Sequence, residues 1–333
     1  MTNKIIDLAA EHPQEALNLL RHTSGACRID YLCQVTPATD ADDLLIKPCQ
    51  NELIRGVTSI LGCSEIPAET WRHITLPVRM GGLGVRDPDH SAAAAYLACM
   101  VNMIAGNAME DTLDKQLIDN ALREYSQYLG APLAEKPTPA PKLQKDLTEL
   151  VYKRNQAALL DAAAARDLTR LQSVLAPHAT AWIDGSGMLP PLTAEQYRCA
   201  LKWVLGIPLR RDDYCCTACG TIADKWGVHA TSCLATGTIG RAHTTVKRHS
   251  ELYAARLDAT FSTSSQYQEK IMDLVVTGTP NSQTMAFDVT VVNPVAPSGP
   301  EVVRAASPGT AMDEVERRKQ MKYEQPVKEW DGR

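Results

Sequence analysis

The residues best suited to chemistry are four metal-ligating side chains within eighteen positions, CTACGTIADKWGVHATSC. Cys216, Cys219, His229 and Cys233 follow a C-x2-C-x9-H-x3-C spacing. Two thiolates two residues apart can hold one ion from a tight turn, which Gly220 suits. His229 and Cys233, four apart, share one face of a helical turn. Three sulfurs and one nitrogen form a closed tetrahedral set that suits structural Zn²⁺ and leaves no open position for catalysis. Cys215 is the rival for the first position, although its spacing to Cys219 is looser.

A second constellation is acidic. KIMDLVVTG and MAFDVTVVNP are short β-branched runs, each with one acid among apolar neighbours, Asp273 and Asp288. Burying an unpaired carboxylate is costly, so these acids must meet solvent, a cation or a metal. Carboxylates from two adjacent strands are a common oxygen-ligand site for Mg²⁺. Further along, Lys319, Lys322 and Tyr323 fall on one helix face. A lysine beside such a metal would orient or polarise the water that attacks a phosphodiester. The competing reading is two edge-exposed aspartates and a solvated charged helix. Asp212-Asp213 lies in LRRDDYCC, not in the aromatic-flanked hairpin of polymerase metal sites. GGLGV (81–85) lacks the lysine and Ser/Thr of a phosphate loop, so its glycines read as turn formers.

Charge adds a third feature. The chain carries a formal net charge of −5, the wrong sign for a nucleic-acid binder taken whole. Between Arg198 and Arg256, however, nine basic residues face four acids. A helix from about 241 to 259 carries Arg241, Lys247, Arg248 and Arg256, a face that can meet phosphate. A solvated surface with a chance excess of charge is the alternative.

The elements that must position these groups imply an α+β chain whose N-terminal two-thirds is predominantly helical. With 333 residues, 44% hydrophobic and 22% charged, the chain can bury cores and fits two or three domains. Aromatic residues make up only 5%, so those cores are aliphatic. Residues 1–134 form a helical region and 135–143, EKPTPAPKL, a proline-rich linker. Residues 144–209 are a second helical segment, with one helix over 144–176 and another capped at Thr193. The cysteine-rich knuckle occupies 210–240. The segment 241–333 holds the basic helix, an antiparallel hairpin of two strands and a final helix. There is no run of eighteen apolar residues and no signal-peptide pattern, which points away from membrane and secretion. The other cysteines sit at irregular spacing among apolar residues, as expected of a reducing compartment such as the cytoplasm.

In their order along the chain, these motifs resemble the C-terminal portion of site-specific non-LTR retrotransposon polyproteins that carry a restriction-like endonuclease behind the reverse transcriptase. LPVRMGGLGVRDPDHSAAAAYLA (76–98) is similar to that family's LP…GGLG turn and Ala-rich helix beyond the polymerase palm. Cys216, Cys219, His229 and Cys233 look like its CCHC knuckle, and Arg248-His249 like the Arg-His pair that follows. Asp273, Asp288, Lys319, Lys322 and Tyr323 match its PD-(D/E)XK-type acids and K-x2-K-Y helix.

The resemblance implies a thumb/connector-like region in 1–134 and a C-terminal α/β restriction-endonuclease-like core in 241–333. It also implies Zn²⁺ in the knuckle, Mg²⁺ at the carboxylates and target-DNA nicking that primes reverse transcription in the nucleus. DNA, element RNA and a reverse transcriptase portion encoded upstream are the implied partners. Two departures stand out. Met272 replaces the usual proline before the first acid, and the chain stops ten residues after Tyr323, where a further strand is expected. The second raises the expectation of an incomplete and inactive nuclease, so a non-catalytic zinc-knuckle nucleic-acid-binding remnant, or a remnant with no function, stands as the alternative to an active enzyme.

Overall fold

A computed structural model of the chain describes residues 2–24, 29–106, 112–175, 179–184 and 192–237. Beyond these it describes 241, 244, 260–267, 270–277, 285–287, 313, 315–319 and 321. The described part is predominantly helical. Its elements run α1 (Thr2–Ala9), α2 (Pro13–Leu19), α3 (Asp30–Val35), α4 (Ala38–Ala41), α5 (Lys47–Leu61), α6 (Ala68–Ile74), α7 (Pro88–Gly106), α8 (Thr112–Leu129) and α9 (Leu143–Asp161). They continue with α10 (Ala165–Val174), α11 (Ala194–Leu205), β1 (Tyr214–Cys215), β2 (Ile222–Ala223), α12 (Val228–Ser232), β3 (Thr260–Tyr267), β4 (Lys270–Thr277) and β5 (Met285–Phe287). The chain divides into one unit of residues 1–164 and 174–207 and another of 165–173 and 208–333. No helix among the described residues is long and apolar enough to cross a membrane.

The first unit is built on aliphatic helix faces, as a chain poor in aromatics requires. Ile5, Leu17, Leu53, Val57, Ile60, Leu61, Tyr197 and Leu201 join α1, α2, α5 and α11 in one core. A second core lies where α7 meets α8 and α9, around Leu97, Val101, Tyr125, Leu147 and Val151. The alanines of α7 explain that packing. Ala92–Ala95 and Ala98 are buried, and such short side chains let neighbouring helices approach closely on several sides. Arg198 of α11 binds the C-terminal ends of two other helices. It donates to the carbonyls of Ala9 and Ala10 and, at 3.1 Å, to that of Ile60. Helix ends leave such carbonyls unsatisfied, so one planar guanidinium ties three segments together.

The GGLG segment is a tight turn. Gly81 and Gly84 have φ of +81° and +70°, and a Cβ on Gly82 would lie 2.1 Å from the Leu76 carbonyl oxygen. Leu83 N donates to Ile74 O and Gly84 N to Leu76 O, folding the turn back on the end of α6. The proline-rich stretch 135–143 is held at Ala140. Asn102 of α7 donates to the Ala140 carbonyl at 3.2 Å and accepts its N–H at 2.9 Å.

Two elements differ from expectation. The single helix over 144–176 is broken between α9 and α10, within the Ala162–Ala165 run, where Ala163 N turns back to Leu160 O at 3.2 Å. Alanine favours the helix, so neither glycine nor proline marks this break. The C-terminal sheet has three antiparallel strands in the order β3-β4-β5, not two. TFSTSSQY, the sequence of β3, is polar apart from Phe261 and Tyr267 and lacks the alternation that reveals a strand. The expected β4–β5 pairing is present, with Leu274 opposite Phe287, Val275 opposite Ala286 and Val276 opposite Met285.

Candidate metal centre

The knuckle is a small hairpin followed by one helical turn. Strands β1 and β2 pair Tyr214 with Ala223 and Cys215 with Ile222. Pleating therefore turns Tyr214 and the buried Ala223 toward the cysteines, and the exposed Cys215 and Ile222 away from them. Cys216 N donates to Thr221 O at 2.8 Å and Gly220 N to Cys216 O at 2.8 Å, closing the turn around Cys219. Gly220 has φ of +75°, which suits glycine at that corner.

Asp224 prepares the second pair of ligands. Its Oδ1 accepts Trp226 N and Val228 N at 3.0 and 3.1 Å, and its Oδ2 accepts His229 N at 2.7 Å. Val228 N and His229 N are the first two amides of α12, where no earlier turn supplies a carbonyl, so the carboxylate caps the turn that carries His229. Cys233 follows at the end of α12, with its N–H on the His229 carbonyl at 2.8 Å.

These constraints converge. One ligand atom each from Cys216, Cys219, His229 and Cys233 lies within 4.8 Å of all the others. A tetrahedron with bonds of about 2.3 Å has edges of roughly 3.8 Å, so the four atoms surround a volume of the right size for one ion. The cluster could hold a metal ion such as zinc. Cys215 takes no part: its Sγ is exposed and 3.4 Å from the Gly220 carbonyl.

The electrostatics suit a cation. The Thr221 hydroxyl 3.0 Å from Cys219 Sγ, helped by a backbone amide, brings the Cys219 pKa down to about 6. Backbone amides of Cys219 and Ala218 lower that of Cys216, while burial raises that of Cys233. His229 is shifted upward chiefly by its hydrogen bond with Cys216, and its Nε2 lies 3.3 Å from Cys219 Sγ. Amides and hydroxyls aimed at sulfur stabilise the thiolates that a metal requires.

The other candidate residues are placed less fully. Asp273 lies on β4, between Met272, opposite Ser265, and Leu274, opposite Thr263. Lys319 lies in the helical stretch 315–319, and Arg241 is exposed in a helical position. Asp288, Lys322, Tyr323, Lys247, Arg248, His249 and Arg256 lie outside the described residues. Asp224 and Thr221 are the contributors that ligand spacing alone does not reveal. The available signal is an acid three residues before Gly227, ahead of a short helix bearing the histidine. Comparisons with protein-family models, curated proteins and solved structures gave no match.

Proposed function

We propose that the chain is the region following the polymerase in a non-LTR retrotransposon protein, with a zinc-stapled nucleic-acid-binding knuckle ahead of a restriction-like endonuclease. The observation that carries this reading is the convergence of Cys216, Cys219, His229 and Cys233. Three thiolates and an imidazole favour Zn²⁺ over hard cations, and four protein ligands fill its coordination shell. The ion is structural: it fixes the hairpin and α12 in place of the large core that so short a segment lacks. Arg241, with Lys247, Arg248, His249 and Arg256, supplies phosphate contacts to DNA or to element RNA.

For the nuclease, Asp273 and Asp288 hold Mg²⁺, which when bound supplies Lewis-acid stabilisation of phosphoryl charge. Lys319 or Lys322 orients the attacking water, and Tyr323 shares their helix face. The β4–β5 pairing supports this assignment: Asp273 precedes Leu274, which pairs with Phe287, the residue before Asp288 in the sequence. The target is chromosomal DNA, and the site of action is therefore the nucleus.

The test uses purified chain, supercoiled plasmid and Mg²⁺. Nicking that is abolished by Asp288→Ala and by Asp273→Asn supports the reading, and nicking that survives Asp288→Ala refutes the assigned site. A second reading, binding without cleavage, is favoured by the self-contained hydrogen bonding of the knuckle. It predicts salt-dependent nucleic-acid binding and no cleavage at any Mg²⁺ or Mn²⁺ concentration.

A further inference from the structure

The knuckle carries two cations mounted on aromatic rings. The Arg210 guanidinium carbon lies 4.3 Å from the centroid of Tyr214, and Lys225 Nζ lies 4.7 Å from that of Trp226. The backbone brings the two pairs together, because Leu209 N and Arg210 N both donate to Lys225 O, at 2.9 and 3.1 Å. Neither cation forms an ion pair with a described residue. The acids nearby have other work: Asp213 Oδ1 accepts Lys225 N at 2.9 Å, and Asp224 caps α12. Two cations on one short segment, each without an acid partner, attract an anion such as phosphate. On the outward face of the same hairpin, Ile222 is 79% exposed.

We propose that the Arg210–Tyr214 and Lys225–Trp226 pairs form a binding surface for single-stranded nucleic acid, with the cations on successive phosphates and a base stacked on the Trp226 or guanidinium plane. This rests on the nucleic-acid-binding reading above and adds to it the residues and the strandedness. Rings and guanidinium planes offer stacking surfaces that any unpaired base can use, whereas a duplex hides its base faces. Holding each cation against a ring also reduces the entropy lost when phosphate binds.

Fluorescence anisotropy with the zinc-loaded full chain tests this, using a labelled thymidine 20-mer, a uridine 20-mer and a 20-bp DNA duplex over a salt series. Trp226→Leu should weaken single-strand binding roughly 5- to 100-fold, as loss of one stacking contact does, with the salt slope unchanged. Arg210→Gln and Lys225→Gln should each flatten that slope by about 0.7, the share of one phosphate contact on a single strand. Duplex affinity should move less than about twofold in all three variants. Equal effects on the two 20-mers mean that the sugar is not sensed, and an effect on one alone names the strand type; both support the surface. Zinc retained by each variant confirms that the knuckle is folded. Wild-type binding with no change in any variant, or an equal loss on duplex and single strand, overturns the surface while leaving nucleic-acid binding intact. Absence of wild-type binding to all three probes overturns both.

Discussion

Replacing Asp224 should weaken metal binding although the residue is not a ligand. Its carboxylate accepts three amides, and one of them, His229 N at 2.7 Å, belongs to a ligand. Losing a helix cap costs about 0.5–2 kcal/mol, and loosening a residue that orients a ligand lowers metal affinity by about 10- to 100-fold. The two figures agree, since that range corresponds to about 1.4–2.7 kcal/mol. Asp224→Ala should fall within it. Asp224→Asn should lie between alanine and wild type, because a single amide oxygen can serve Oδ1's two amides or His229's one, not both sets. Asp213→Asn is the control: Asp213 accepts only Lys225 N at 2.9 Å, away from any ligand, and its affinity should stay within about twofold. Competition with a chromophoric zinc chelator measures all three. An unchanged Asp224→Ala affinity, or Asp213→Asn matching it, would refute the capping argument.

Gly82→Ala should destabilise the first unit by about 3 kcal/mol in urea titrations, because its Cβ would lie 2.1 Å from the Leu76 carbonyl oxygen. His90 is buried at the start of α7, accepts from Asn155 Nδ2 at 3.3 Å and leaves its buried Nδ1 without a hydrogen-bond partner. Burial pushes its pKa below the ordinary value, Asp87 and Asp89 push it back up, and Arg154 and Arg72 push it down again. The unfolded chain therefore takes up the proton first, so stability should fall as pH drops below about 6.5 and stay level above it. His90→Gln should flatten that slope in urea midpoints across pH. Metal removal should expose the amides of Cys216, Gly220 and Cys233 to hydrogen exchange while those of Leu83 and Gly84 keep their protection.

The legible parts of the chain are those where chemistry imposes spacing. The ligand set could be read because a tetrahedral ion requires two thiolates across a short turn and a pair four apart on a helix, and Cys216, Cys219, His229 and Cys233 come together accordingly. Spacing already favoured Cys216 over Cys215, and the strand pairing, which turns adjacent side chains to opposite faces, gives the structural reason. Thr193 was legible as a cap, and its capping box with Gln196 starts α11. The break after α9 was not, because a run of alanines carries no stop signal. β3 was hidden by its polar sequence, since a strand recognised only through hydrogen bonds to β4 leaves no hydrophobic period. The ring-mounted cations were invisible for a related reason. Arg210 and Lys225 are fifteen residues apart, and only the backbone bonds between them make them neighbours.

The claim on which the account depends is that one ion is held by three sulfurs and one nitrogen. X-ray absorption at the zinc edge of the purified, zinc-loaded chain reads this directly. One zinc per chain is expected, with three sulfur scatterers at about 2.3 Å and one nitrogen at about 2.0–2.1 Å, the nitrogen replaced in His229→Ala. A shell of oxygen and nitrogen alone, or a chain that retains no zinc after gel filtration, would contradict it.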